Sequence, residues 1–72
     1  MNREFANLTA ARQAVVRCAI ESVRSNPDRF SQDLADGSEV YAYPGRDCVH
    51  WGVNGPEGCN IARGKLMNGS EL

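Results

Sequence analysis

The stretch Glu39–Val53, EVYAYPGRDCVHWGV, decides the fold. Within it Val40 and Ala42 alternate with Tyr41 and Tyr43, and Val49, Trp51 and Val53 alternate with Cys48 and His50. A period of two is the mark of a strand with one buried face. Pro44-Gly45, between the two runs, reads as a turn: proline sets φ at one corner and glycine accepts positive φ at the next. The stretch is therefore expected to be a β-hairpin with its tip at Gly45-Arg46. That register sets Tyr43 opposite Cys48, Ala42 opposite Val49 and Val40 opposite Trp51, so the apolar sets of both strands share a face.

Downstream, Asn54-Gly55-Pro56-Glu57-Gly58 reads as a second turn, leading into a third strand from Cys59 to about Lys65. Pairing Val53 with Cys59 sets Trp51 opposite Ile61 and His50 opposite Ala62. One face of the expected sheet is then Val40, Ala42, Val49, Trp51, Val53, Cys59 and Ile61. The other is Tyr41, Tyr43, Cys48, His50, Ala62 and Gly64. Val49 opposite Arg63 is the weak point of this register.

Upstream, the period changes to that of a helix. Leu8, Ala11, Val15, Ala19 and Val23 recur at spacings of three and four, with Val16 and Cys18 at the margins, over about 7–25. Asn7 or Thr9 is the candidate N-cap, and Asn26-Pro27 ends the helix because the residue before proline is pushed out of the helical region. The same dipeptide can open another helix, with Pro27 in the first position and Asp28 at the positive end of the dipole. Phe30 and Leu34 would share its buried face, and Asp36-Gly37 would end it. The expected fold class is α+β: two N-terminal helices, long then short, over about 7–36, packed on one face of a three-stranded antiparallel meander over about 38–66. A chain of 72 residues forms one domain, and one that small buries only about 60% of the surface of its unfolded form. Such a domain gains from self-association.

Composition narrows the function. Eight basic and nine acidic residues leave a formal charge of −1, and neither half of the chain departs from balance. This lacks the basic footprint of a nucleic-acid binder. Arg17 and Arg24 on the long helix are separated by Glu21 at helical spacing, which reads as a self-paired solvated face. Arg12 breaks the pattern by projecting within the apolar arc, where it either snorkels past the core edge or marks a contact. No apolar run reaches the roughly 18 residues of a membrane span, and the first residues lack the apolar stretch of a signal peptide. Together with three cysteines, an odd number, this places the expected location in the cytoplasm.

No residue set satisfies a catalytic or cofactor motif. Cys48, His50 and Cys59 are of zinc-ligand type, but they form no C-x-x-C pair, and the register sends Cys59 to the face opposite the other two. No metal and no cofactor are expected, with Cys18 and Cys59 as small core residues and Cys48 half-exposed. A nucleophile–base pair of Cys48 and His50 needs a third group to orient the base, and no carboxylate falls beside His50. The seven glycines match neither G-x-x-x-x-G-K-[ST] nor G-x-G-x-x-G.

The open sheet face remains. Tyrosine there supplies large contact area with a polar tip. The expected function is a non-enzymatic protein-binding module, a regulator or inhibitor of the kind that mobile genetic elements often encode. Its contact residues are Tyr41, Tyr43, His50, Glu39 and Arg46, on the open face and on the edge of the strand Glu39–Tyr43, and its partner is another protein or a second copy. The alternative is a single-stranded nucleic-acid binder stacking bases on the same aromatics, disfavoured because only Arg46, Arg63 and Lys65 are near. A thiol-dependent activity at Cys48 comes third.

Overall fold

The computed structural model describes residues 3–71. Its elements run α1 (Arg3–Ala6), α2 (Ala10–Ser25), β1 (Phe30–Asp33), β2 (Glu39–Gly45), β3 (Cys48–Asn54) and β4 (Asn60–Met67). The four strands pair antiparallel in the order β1-β2-β3-β4. The helices pack on one face, so the α+β class stands, with four strands in place of three.

The long helix forms where its caps place it. The Thr9 hydroxyl accepts a hydrogen bond from Arg12 N–H at 3.3 Å, and Asn26 N–H closes the far end on Ser22 O at 2.9 Å, just before Pro27. The buried arc is Val16, Ala19, Ile20 and Val23, rotated from the expected one, and Ala11 and Cys18 are exposed. Leu8 and Phe5 precede the cap and are buried. Phe5, on α1, meets the Trp51 ring edge to face at 6.1 Å, and Arg17 caps the Phe5 ring from outside at 5.0 Å.

The short second helix is corrected to a strand. Phe30–Asp33 pairs with β2 as Phe30 to Ala42, Ser31 to Tyr41, Gln32 to Val40 and Asp33 to Glu39. The i, i+4 spacing of Phe30 and Leu34 fits a helix, but four is also a multiple of two, so the pair equally fits one face of an extended chain. A helix this short stands near its nucleation cost, whereas the edge of β2 offers a ladder of backbone partners. Asp36-Gly37 is the turn that follows, with Gly37 at φ +89°. Asp36 accepts from both the backbone N–H and the hydroxyl of Ser38. Arg12 is explained by the same turn: its Nη2 lies 3.1 Å from the Asp36 carboxylate, tying α2 to the β1–β2 connection.

A second consequence is that Glu39–Tyr43 is no edge. Its outer side is covered by β1, and the edges of the sheet are β1 and β4, which removes the strand-edge contact expected above.

The hairpin tip is Arg46-Asp47. Gly45 pairs with Cys48, Tyr43 with His50, Ala42 with Trp51 and Val40 with Val53, two residues from the expected pairing. Pro44-Gly45 therefore lies inside β2. A two-residue loop makes Gly45 and Cys48 the hydrogen-bonded pair, so alternation turns the backbone of Pro44 outward, beyond Phe30, the first residue of β1. A missing N–H costs nothing there. Asp47 supplies the positive φ of the turn, at 58°. Because the slip is an even number, every side chain of β2 and β3 keeps its expected face.

In β4 the slip is odd. Val53 pairs with Ala62, Trp51 with Gly64 and Val49 with Leu66, after a bulge at Val53/Asn54. Ala62 and Leu66 enter the core, at 2% and 8% exposure, while Ile61 is expelled at 43%. The unfavourable Val49–Arg63 pair is thereby avoided. Cys59 lies outside the strand and is exposed, Cys18 is exposed, and Cys48 is buried, the reverse of the expected burial for all three cysteines.

Candidate binding face

Alternation places four rows of side chains on the sheet face turned away from the helices. Asp33, Glu39 and Asn54 form the first row, Ser31, Tyr41, Gly52 and Arg63 the second, Tyr43, His50 and Lys65 the third, and Gly45, Cys48 and Met67 the last. Ile61 joins the first row on the β4 side of the bulge.

The rings run along the middle. Tyr41 and Tyr43 are near-parallel, 9° between planes, with centroids 6.4 Å apart. Tyr43 stacks on His50 at 5.0 Å. The glycines explain how the rings lie low. A Cβ on Gly52 would stand 2.2 Å from the Tyr41 hydroxyl, and one on Gly45 would stand 2.5 Å from His50 Nε2. Tyr41 thus leans across β3 and His50 back over β2, each into space that only a glycine leaves open. Arg29, just before β1, holds its guanidinium 5.8 Å from the Tyr41 ring centroid, a cation–π distance. A shallow depression of about 460 Å³ separates the rings from β4 and is bounded by Arg63, Lys65 and Glu4.

The acidic end of the face is ordered by hydrogen bonds. Glu39 accepts from Ser31 Oγ at 2.6 Å and from Asn54 Nδ2 at 3.4 Å. These bonds, helped by the charge of Arg29, hold its carboxyl below the ordinary glutamate range.

Cys48 Sγ lies 3.7 Å from His50 Nε2. The two side chains lean together although their Cα atoms are two residues apart on one strand. No carboxylate hydrogen-bonds to His50 among the described residues, nor does any group of three His, Cys, Asp or Glu side chains gather in metal-binding geometry.

Of the five expected contact residues, Tyr41, Tyr43, His50 and Glu39 share this face, while Arg46 sits at the hairpin tip beyond its last row. Ala62 and Gly64, expected here, belong to the core side. Arg29, Ile61 and Met67 were not anticipated. Ile61, Arg63, Lys65 and Met67 do alternate with Ala62, Gly64 and Leu66, a period of two that carries the signal once the bulge sets the register. No helix among the described residues is long and apolar enough to cross a membrane. No protein-family model, curated protein or solved structure matches the chain.

Proposed function

We propose that the protein is a non-enzymatic protein-binding module, a regulator or inhibitor that engages its partner through the open sheet face. One observation carries this reading. The exposed large apolar side chains among the described residues are Tyr43, Ile61 and Met67, at 41%, 43% and 47% exposure, and all three project from that face. Scattered singly, such residues need no explanation. Sharing one face with the stacked rings, with Ile61 and Met67 at the two ends of β4 and Arg63 and Lys65 between them, they give that face the make-up of an interface: aromatic, methionine and arginine enriched.

The test is affinity capture with the tagged chain from its native host, repeated with Tyr41→Ala, Tyr43→Ala and Met67→Ser. The expected result is retention of a protein by the parent chain and its loss from the variants, whose far-ultraviolet circular dichroism stays native. Retention by all three variants would overturn the reading.

A nucleic-acid reading draws on one new observation, the placement of Arg29, Arg63 and Lys65 around the rings. Against it stand Asp33 and Glu39 in the adjoining first row and Glu4 at the β4 margin. A labelled single-stranded oligonucleotide decides: salt-sensitive binding that is lost in Tyr43→Ala supports this reading, and no binding at low salt removes it.

A further inference from the structure

Apart from Arg29 beside Tyr41 and Glu4 beside Arg63 and Lys65, the charges on the open face stand at two poles. Asp33 and Glu39 stand at the corner formed by the first row of β1 and β2. Arg63 and Lys65 stand on the opposite flank, in the second and third rows of β4. Between these poles lie Tyr41, Tyr43 and His50. A face of this kind is complementary to itself under a two-fold rotation about the other diagonal. That operation keeps the rings at the centre and lays the basic flank of one copy over the acidic corner of the other. It also crosses the strands of the two sheets at a steep angle, the orthogonal mode of sheet-on-sheet packing.

From this arrangement we infer that the occupant of the open face is a second copy of the chain, giving a two-fold homodimer with Lys65 of each protomer over Glu39 and Asp33 of the other. The inference rests on the reading of this face as a protein-docking surface and names its partner. The face is modest in extent: four strands about 4.8 Å apart and up to eight residues long at about 3.3 Å each span on the order of 450 Å², below the roughly 800 Å² per partner of a standard interface and in the range of a weak, reversible contact. An isologous contact needs one self-complementary patch and closes without leaving a free copy of it. The polar poles set the orientation and the rings supply the buried centre. Glu39 is oriented for this by the hydrogen bonds it accepts from Ser31 Oγ and Asn54 Nδ2.

The experiment is sedimentation equilibrium of the full chain over a range of concentrations, with charge-swap variants. The parent chain is expected to dimerise reversibly. Tyr43→Asp raises the dissociation constant by about tenfold or more, the scale of a central interface residue. Lys65→Glu weakens the dimer, as do Glu39→Lys and Asp33→Lys. Mixing Lys65→Glu with Asp33→Lys associates more tightly than Lys65→Glu alone, because one contact keeps the native pairing and the other sets the new carboxylate against the new ammonium beside Glu39. Asp33→Lys serves alongside Glu39→Lys because the latter also breaks the bonds to Ser31 and Asn54. Glu57→Lys, in the β3–β4 loop, makes the same change of charge as the acid-to-lysine variants and leaves the dimer unaffected.

A parent chain that is monomeric at every concentration overturns the inference. So does a dimer indifferent to both Tyr43→Asp and Lys65→Glu, which must form through another surface. If the chain is monomeric but Tyr43→Ala still abolishes capture of a host protein, the face is a docking surface with a different occupant. If neither association nor capture depends on Tyr43, the docking reading falls as well.

Discussion

Trp51 is 1% exposed and meets Phe5 on one side while pairing with Ala42 and Gly64 in the sheet. Its small strand neighbours leave the indole room to lie under the helices. Its indole N–H is buried without a hydrogen-bond partner, so its contribution is packing alone. Trp51→Ala should cost about 3–5 kcal/mol, a large share of the stability of a domain this size, and urea denaturation should show the loss as a fall in midpoint or no folded baseline. The cysteines separate by burial: Cys18 and Cys59 are exposed and Cys48 is covered. A thiol reagent added to the native protein should label two thiols rapidly, and the third at a rate limited by local opening. Three rapid thiols would show that the His50 side of β3 is open.

Two carboxylates contribute an acid dependence to the stability. The Ser38 hydroxyl and backbone N–H, with a smaller contribution from Arg12, hold Asp36 below the ordinary aspartate range, and Glu39 is held low by Ser31 and Asn54. A folded-state pKa below the unfolded one means stability fully present above the unfolded value, near about 4, and lost as pH falls through the folded value. Urea midpoints measured from pH 7 downward should therefore decline below about pH 4. The decline should be shallower in Asp36→Asn, where one of the two contributors no longer titrates.

At the scale of elements, protection should follow position in the sheet. β3 is flanked on both sides and has five of its seven residues buried, whereas β1 is a four-residue edge with three exposed. Hydrogen exchange should be slowest in β3 and the inner half of β2, and fastest in β1. β4 should fall between them, because the Glu4 carboxylate reaches its Arg63 N–H at 3.4 Å and Arg24 Nη2 ties down the carbonyls of Met67 and Ser70 at 3.1 and 2.8 Å. Rapid exchange throughout Glu39–Tyr43 would contradict the pairing of β1 with β2.

For the whole molecule, a face-to-face dimer links stability to concentration. A second copy that binds only the folded chain raises the apparent stability by mass action. The thermal midpoint should rise with protein concentration in the parent chain and be independent of it in Tyr43→Asp. A concentration-independent midpoint in both would separate fold stability from association altogether.

The long helix and its end, the hairpin, and the face taken by each β2 and β3 residue could be read from the residues alone. These depend on neighbours a few positions apart: the Asn26-Pro27 stop acts through sterics within one dipeptide, and alternation survives any even slip in register. The rings of the open face were legible for the same reason, since Tyr41, Tyr43 and His50 keep their parity through any even slip. The rest emerged with the folded sheet. Whether Phe30 and Leu34 mark a helix or a strand turns on the open edge of β2, because their spacing suits both periods. Which residues of β4 face the core turns on one bulge at Val53/Asn54, since a single extra residue exchanges Ile61 for Ala62 and sends Met67 and Lys65 to the open face. Arg12 likewise has no local meaning, its partner Asp36 lying 24 residues away. Local periodicity sets which side chains can share a face, but the faces meet through long-range pairing, and that free energy is settled by the whole sheet at once.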